Sequence, residues 1–238
     1  MTEPASGGGR IRVLPPEEAR KIAAGEVIDR PAALVREFLD NAIDAGSALI
    51  EVVIEGGGIR RTEVIDDGLG MNREDLALCW YTHATSKIRS VDDLNTAETL
   101  GFRGEALAAA AAVSRLEILS CTGDGEAWFL ETGAGMGDSP GGMRISRSRR
   151  TRGTTVRALG LFDTIPARKR FLKREGAEAG LCRQAFIDKA LAFPGIAFRF
   201  LQDGKLRLFF PPAASLKERY ALALLSPDEG AFLHEISA

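Results

Sequence analysis

Three consecutive glycines, Gly56-Gly57-Gly58, separate two short runs rich in β-branched residues, Leu49–Ile54 and Arg61–Ile65. Strands joined by so short a connection run antiparallel, because a parallel crossover needs a dozen residues or more. A second pair, Ala197–Gln202 and Leu206–Phe210, flanks Asp203-Gly204, a strong hairpin signal. Strands arriving in pairs, mixed with helical segments, predict an α+β layered fold rather than a regular βαβ alternation. Helices are expected over 15–29, over roughly 31–45 between Pro31 and Gly46, near 73–81, and over Glu105–Val113, Arg168–Lys173, Leu181–Ala192 and Leu216–Leu225. Leu116–Ser120, Ala127–Glu131 and Thr154–Leu159 read as further strands, and Gly133–Arg152 as loop. Pro211-Pro212 breaks the chain. The expected organisation is a flexible leader over 1–14, one domain over 15–212 and the start of an incomplete second domain over 213–238.

A chain of 238 residues with 45% hydrophobic and 27% charged residues can bury a substantial core, which excludes collagen-like and wholly disordered readings. No stretch of about eighteen apolar residues is present to span a membrane, and the start, MTEPASGGGRIRV, lacks the apolar run of a signal peptide. Cys79, Cys121 and Cys182 are far apart with no C-x-x-C, which suggests reduced thiols in a cytoplasmic chain. His83 and His234 have no ligand-spaced partners, which argues against zinc. The net charge of −2 conceals an uneven distribution. From Arg144 to Arg174 eleven Lys and Arg face one acid, Asp163, a balance of +10 that leaves −12 for the remainder. A basic stripe on an acidic body suits phosphate binding, although an arginine-rich solvated loop has the same composition.

The most informative stretch is Glu37–Asp44. On a helix Glu37, Asp40, Asn41 and Asp44 fall within one arc of roughly 100°, opposite Val35, Phe38, Leu39, Ala42 and Ile43. An ordinary amphipathic surface helix has this pattern too. Two features favour chemistry: the polar arc has no Lys or Arg to neutralise it, and an amide follows a carboxylate by four residues. An amide oxygen can hold a metal while a carboxylate orients a water. Asp66 ends an apolar strand and is followed by Asp67-Gly68-Leu69-Gly70, which places a carboxylate beside backbone that a ligand can approach closely. His83–Ile88 and Leu100–Leu107 follow; glycines ahead of a helix at Glu105 expose N–H groups to phosphates. Arg152-Gly-Thr-Thr-Val156 sets small hydroxyls at a strand's start. The usual nucleotide motifs fail: the one Gly-Lys, Gly204-Lys205, lies in a hairpin, and Gly133-Ala-Gly-Met-Gly137 leads into no helix.

Taken in order, E-x-x-D-N-x-x-D-A, D-D-G-x-G, H-A-T-S-K-I, G-F-R-G-E-A-L and G-T-T resemble the ATPase superfamily of gyrase, heat-shock chaperones, histidine kinases and MutL. The matches Ile22–Val27, His83–Ile88, Gly101–Leu107 and Pro166–Arg168 look like the MutL family of DNA mismatch-repair ATPases, and the resemblance runs from about Ile11 to Gly204. It implies a two-layer α/β sandwich with a mixed, mainly antiparallel sheet, binding ATP and Mg²⁺. By it, Glu37 is the general base for water attack on the γ-phosphate and Asn41 the Mg²⁺ ligand. Asp66 accepts from the adenine amino group, with Gly70 and Thr154 completing the base pocket. Thr85, Ser86, Lys87, Gly101, Phe102, Arg103, Gly104 and Glu105 form a lid over the phosphates. Also implied are ATP-driven lid closure, an ATP-dependent homodimer, the mismatch-recognition protein MutS and a downstream repair nuclease or helicase as partners, and a lysine on the second domain that reaches the γ-phosphate. Non-sequence-specific DNA binding is expected at Arg168, Lys169, Arg170 and Lys173, because no element reads as a base-reading one. The chain departs from the family at Asp40, where Glu is frequent, at Asp67, where Asn is common, and at Asp163-Thr164-Ile165 in place of Tyr-Asn-Thr. Alternative readings are a DNA-binding scaffold fragment that binds ATP with negligible turnover, and a topoisomerase or chaperone relative; Ile22–Val27 and Pro166–Arg168 argue against the latter.

Overall fold

The computed structural model describes residues 12–82, 84, 104–133 and 142–224. In chain order the helices are α1 (Pro16–Val27), α2 (Pro31–Asp44), α3 (Arg73–Leu78), α4 (Ala106–Val113), α5 (Pro166–Lys169), α6 (Glu175–Ala192) and α7 (Leu216–Leu224). The strands are β1 (Leu49–Glu55), β2 (Arg61–Asp66), β3 (Arg115–Cys121), β4 (Ala127–Gly133), β5 (Met143–Ser148), β6 (Gly153–Leu159), β7 (Ala197–Gln202) and β8 (Lys205–Phe210). They form one sheet in the order β5-β4-β3-β6-β2-β1-β7-β8. Every neighbouring pair is antiparallel except β1 and β7, which lie far apart in sequence and run parallel. The mixed, mainly antiparallel α+β sandwich is therefore the architecture present.

Strand alternation divides the sheet into two faces. Leu130, Ile118, Val156, Val64, Val52 and Phe200 lie side by side in register across six strands and belong to the buried core under the helices. Phe186 of α6 meets Phe198, Phe200 and Phe210 with ring centroids 5.1–5.9 Å apart, which pins the helix to β7 and β8. Ala179, Cys182, Phe186 and Ala190 recur at intervals of three and four and form the buried stripe of α6, which packs against α2.

The opposite face carries charge. Arg144, Glu131, Glu117, Arg157 and Glu63 stand in register across five strands. Arg157 donates to Glu117 at 2.6 Å and to Glu63 at 2.9 Å, and Arg115 to Glu117 at 2.7 Å. Glu63 is 2% exposed, so its charge depends on Arg157 and on Arg61, with which it also pairs.

Three expected elements differ. The stretch 133–152, expected as loop, contains β5; only Met143 and Ile145 alternate inward, and an exposed edge strand with arginine and serine on its other positions carries little apolar signal. Helix α6 starts at Glu175, six residues before the expected Leu181; Gly176 and Gly180 lower its propensity, while Glu175 and Glu178 favour its first turn and buried Glu178 accepts from the Lys173 amide at 2.8 Å. The expected helix over Arg168–Lys173 is the single turn α5. Beyond the prolines, Arg219 of α7 is fully buried, donates to the Pro194 and Ile196 carbonyls at 2.6 Å each and lies over Phe198 and Phe210, which anchors α7 beside β7 and β8.

Arg157→Met leaves Glu63 and Glu117 facing each other across β6 with one cation fewer. It is expected to cost about 2 kcal/mol, below the usual penalty for a broken buried pair because Arg157 is partly solvated. Urea unfolding at low and high salt checks this; an unchanged midpoint would make the ladder energetically neutral.

Candidate active site

One end of the sheet's inner face turns polar. The row beside the apolar one described above runs Trp128, Ser120, Thr154, then Asp66 opposite Ile50, so three polar side chains occupy core-facing positions on β3, β6 and β2. All are buried, Asp66 to 7% exposure. Its Oδ1 accepts from the Gly68 amide at 2.9 Å and the Thr154 amide at 3.2 Å. Thr154 and Ser120 share a hydroxyl hydrogen bond of 2.9 Å, and Ser120 accepts from the Met71 amide at 2.8 Å. Burial raises the Asp66 carboxyl above its ordinary value, while the two amides, Arg150 and Ser47 act in the opposite sense.

The glycine loop closes against this polar row through backbone contacts a side chain would prevent. Gly70 has φ +71°, and a Cβ there would lie 2.0 Å from the Cys121 carbonyl oxygen. Gly153 has φ +113°, and its Cβ would lie 2.1 Å from the carbonyl of Asp66. Leu69 donates to the Ala45 carbonyl at 3.0 Å, and Ala45 in turn donates to Asn41 at 3.0 Å, so the loop docks on the last turn of α2. Asp67, where the family often has Asn, turns away from the pocket: its Oδ1 accepts from the Ala48 and Leu49 amides at 2.8 and 2.9 Å and fixes the start of β1. An acceptor is all that position uses, which is why aspartate serves.

Pro31 opens α2 at its first turn, and Leu34, Val35, Phe38, Leu39 and Ala42 bury one side. Glu37 and Asn41 are half-buried and one turn apart, with Asp44 a turn further. The polar arc does have a cation, contrary to the sequence expectation: Lys189 of α6 forms an ion pair with buried Asp40. Asp40 is thus taken up by the helix–helix seam. Gly104, with φ +61°, and Glu105 precede α4, where the Glu105 carbonyl accepts from Ala109 at 2.7 Å. A Cβ on Gly104 would lie 2.7 Å from the Ala84 carbonyl, so these two residues meet ahead of α4. His83, Thr85, Ser86, Lys87, Gly101, Phe102 and Arg103 lie outside the described residues.

The basic segment divides. Arg168 donates to the Gly25 carbonyl at 2.6 Å and the Ile22 carbonyl at 3.2 Å, which ties α5 to the end of α1. Lys169 pairs with Asp163 at 2.6 Å, and Arg170 and Lys173 are exposed. Arg150 and Arg152, which the sequence placed in the stripe, turn to the pocket: Arg150 Nη2 donates to the Asp66 carbonyl at 2.5 Å and Arg152 Nε to Gly68 at 3.1 Å. Sequence reasoning missed these two and Ser120; for Ser120 the available signal was a polar residue at the third inward position after Leu116 and Ile118. The three cysteines are free, and burial pushes the Cys79 and Cys182 thiols up to about 12, so neither is a ready nucleophile. Among the described residues no group of three His, Cys, Asp or Glu is placed to hold a metal, and no helix is long and apolar enough to cross a membrane.

Residues 30–136, which span α2, the glycine loop and α4, match the family described as histidine kinase-, DNA gyrase B-, and HSP90-like ATPase. The DNA mismatch repair protein MutL of Treponema pallidum is 45% identical over 234 residues, covering 95% of this chain. The chain spans 38% of that relative's length. Among solved structures, the Aquifex aeolicus MutL ATPase domain complexed with ADP is 27% identical with a TM-score of 0.63, over 83% of this chain and 69% of that one. The N-terminal domain of a DNA repair protein superposes with a TM-score of 0.72 at 25% identity, over 87% of this chain and 60% of that one. The polar row, the glycine loop and α2 thus lie in a chain that belongs to the histidine kinase, gyrase B and HSP90-like ATPase family, in its MutL branch, and that corresponds to that branch's N-terminal ATPase region.

Proposed function

We propose that this chain binds ATP in the pocket between Asp66 and the N-terminal end of α4 and hydrolyses it with Mg²⁺. The observation that carries this is the Asp66 carboxylate, buried at the end of β2 with two backbone amides on one oxygen, in front of a glycine loop docked on α2. A buried carboxylate so held is a fixed acceptor, and the adenine amino group is the donor that suits it. Gly70 and Thr154 line the same recess. Asn41 and Glu37 follow along α2 toward the phosphates, with Glu37 orienting the water for in-line attack. The donor set suits Mg²⁺, which takes oxygen ligands and usually keeps several waters while bound by few protein groups; the Asn41 amide oxygen would hold it, and it would offset phosphate charge.

The residues from Thr85 to Lys87 and from Gly101 to Glu105 form the lid in this reading. Its support is the close approach of Ala84 and Gly104 at the head of α4. Closure on ATP would bring two copies together as a homodimer and couple mismatch recognition by MutS to a repair nuclease or helicase. Residues 213–238 would begin the second domain, whose lysine would reach the γ-phosphate. DNA would bind without sequence preference at Lys169, Arg170 and Lys173. Arg168 contributes less to that surface than the sequence implied, because its guanidinium is engaged by α1.

Glu37→Ala is expected to lower kcat by about 100-fold or more while ATP affinity stays within about threefold, since a water-orienting carboxylate acts mainly in the transition state. Asn41→Ala weakens Mg-ATP binding instead. Titration calorimetry beside phosphate release separates the two, and parental turnover in Glu37→Ala would sink the assignment.

Asp66→Asn keeps an oxygen for the Gly68 and Thr154 amides but presents an NH₂ toward the base, and ATP affinity is expected to fall about tenfold or more. Stability moves the other way. A carboxyl raised by burial favours the fold below its unfolded-state pKa and loses that contribution as pH rises through the raised value. The nucleotide-free variant should therefore be at least as stable as the parent at pH 7, with the gain vanishing at acid pH. Thermal melts from pH 3 to 8 test the sign.

Replacing Lys169, Arg170 and Lys173 together by alanine is expected to flatten the salt dependence of DNA binding by roughly one log–log unit per lost phosphate contact. ATP affinity should not change. An unchanged slope would move the DNA contact elsewhere.

A further inference from the structure

Arg150 stands in the sequence among eleven cations of one basic segment, and nothing in that segment distinguishes it. The fold does. Its guanidinium is half-buried, with Nη2 on the Asp66 carbonyl at 2.5 Å and Nη1 on the Thr155 hydroxyl. Its Nε is buried and has no hydrogen-bond partner. Burial lowers its pKa, countered by the negative charge of Asp66. Holding a guanidinium half out of water with one donor unsatisfied is costly. Strand pairing does not require it, because β2 and β6 are already paired from Arg61 to Ile65 and the Thr154 amide reaches Asp66 directly. What Arg150 adds is a fork that holds the Asp66 carbonyl on one nitrogen and the Thr155 hydroxyl on the other, and a positive charge near the Asp66 carboxylate. Arg152 makes the matching bond to Gly68, so the turn between β5 and β6 grips the base-pocket loop two residues apart.

We infer that Arg150 is a positioning residue for base recognition: it fixes the Asp66 main chain so that the carboxylate meets the exocyclic amino group of adenine. The inference rests on the reading of Asp66 given above. It joins the first residues after β5 to the nucleotide pocket, and it removes Arg150 from any surface that binds a polyanion.

The test compares ATP with purine riboside triphosphate, which differs from ATP only in lacking the amino group, by titration calorimetry on the whole chain with Mg²⁺. The parent should prefer ATP by about tenfold, the usual scale for a hydrogen bond to a charged acceptor. Arg150→Met should bring that ratio to about two while leaving purine riboside triphosphate affinity within about twofold of the parent, which also shows that the variant is folded. Arg150→Lys, which keeps the cation but cannot make both bonds, should give an intermediate ratio and serves if the methionine variant does not fold. A loss shared equally by both nucleotides, with the ratio preserved, would reduce Arg150 to a structural contact and overturn the inference. Asp66→Asn is run alongside. If it leaves the ratio at the parental value, the base-pocket reading itself fails. If it collapses the ratio and the Arg150 variants do not, the base-pocket reading stands and the inference about Arg150 alone falls.

Discussion

A carboxylate at 7% exposure at the end of β2 is the arrangement on which the site depends, and several separate features of the chain make it tolerable. Removing Asp66 from water disfavours its charged form, and two amides on one oxygen with a guanidinium nearby offset part of that cost. The amides are available only if the chain turns sharply after Asp66 and if β6 begins hard against it. The first condition requires the glycine loop; the second requires Gly153, whose Cβ would overlap the Asp66 carbonyl. The G-T-T run is therefore two things at once: glycine for the close approach, threonine for the amide and hydroxyl beside the carboxylate.

The second constraint is the seam between α2 and α6. Side chains from both helices fill it almost entirely with apolar atoms, and the Asp40–Lys189 pair is set into its polar edge. An ion pair there gains little over a well-packed apolar contact, but it is satisfied in one register of the helices and not in its neighbours. Because Glu37 and Asn41 lie three residues before and one after Asp40, fixing the rotation of α2 against α6 also fixes the direction in which those two side chains leave the helix. The apolar stripe and Asp40 face the protein, and Glu37, Asn41 and Asp44 stay half-buried.

How far the site could be read before the structure follows from how local its signals are. Glu37, Asn41, Asp66, Gly70 and Thr154 each sit in short runs whose spacing is set by one helix or one turn, and the helix, the two hairpins and the glycine loop were legible for that reason. What was not legible depended on distant residues. Lys189 lies 149 positions from Asp40, and no periodicity in either helix announces the pair. Arg150 and Arg152 read as surface charge because their use as donors to Asp66 and Gly68 appears only once β6 is laid beside β2. Strand β5 was hidden because an edge strand buries one row of side chains, and two apolar residues are too few for alternation to register. Helix α6 was read short because Gly176 and Gly180 weaken its propensity, while packing against the Gly56–Gly58 turn and α2 holds it.

Arg168 shows the same limit in the opposite direction. Ile22–Val27 and Pro166–Arg168 are two family signatures 143 residues apart at Gly25 and Arg168, and the second lies in the basic stripe. In the fold they are one contact. Gly25 has no side chain, so the guanidinium can lie where a Cβ would stand, and it reaches the Gly25 carbonyl, one of the last four of α1 that lack an intrahelical donor, and the Ile22 carbonyl a turn earlier. A cation at that end also suits the helix dipole. Any larger residue at 25 would displace Arg168, and loss of the arginine would leave the Gly25 carbonyl to water, so each motif needs the other. The basic character of this segment is then partly structural: Arg150, Arg152 and Arg168 are spent on backbone carbonyls. The charge left to attract a polyanion resides in the exposed remainder, Arg144, Arg147 and Arg149 around β5 and Lys169, Arg170, Lys173 and Arg174 after α5 begins, fewer than the count of eleven suggests.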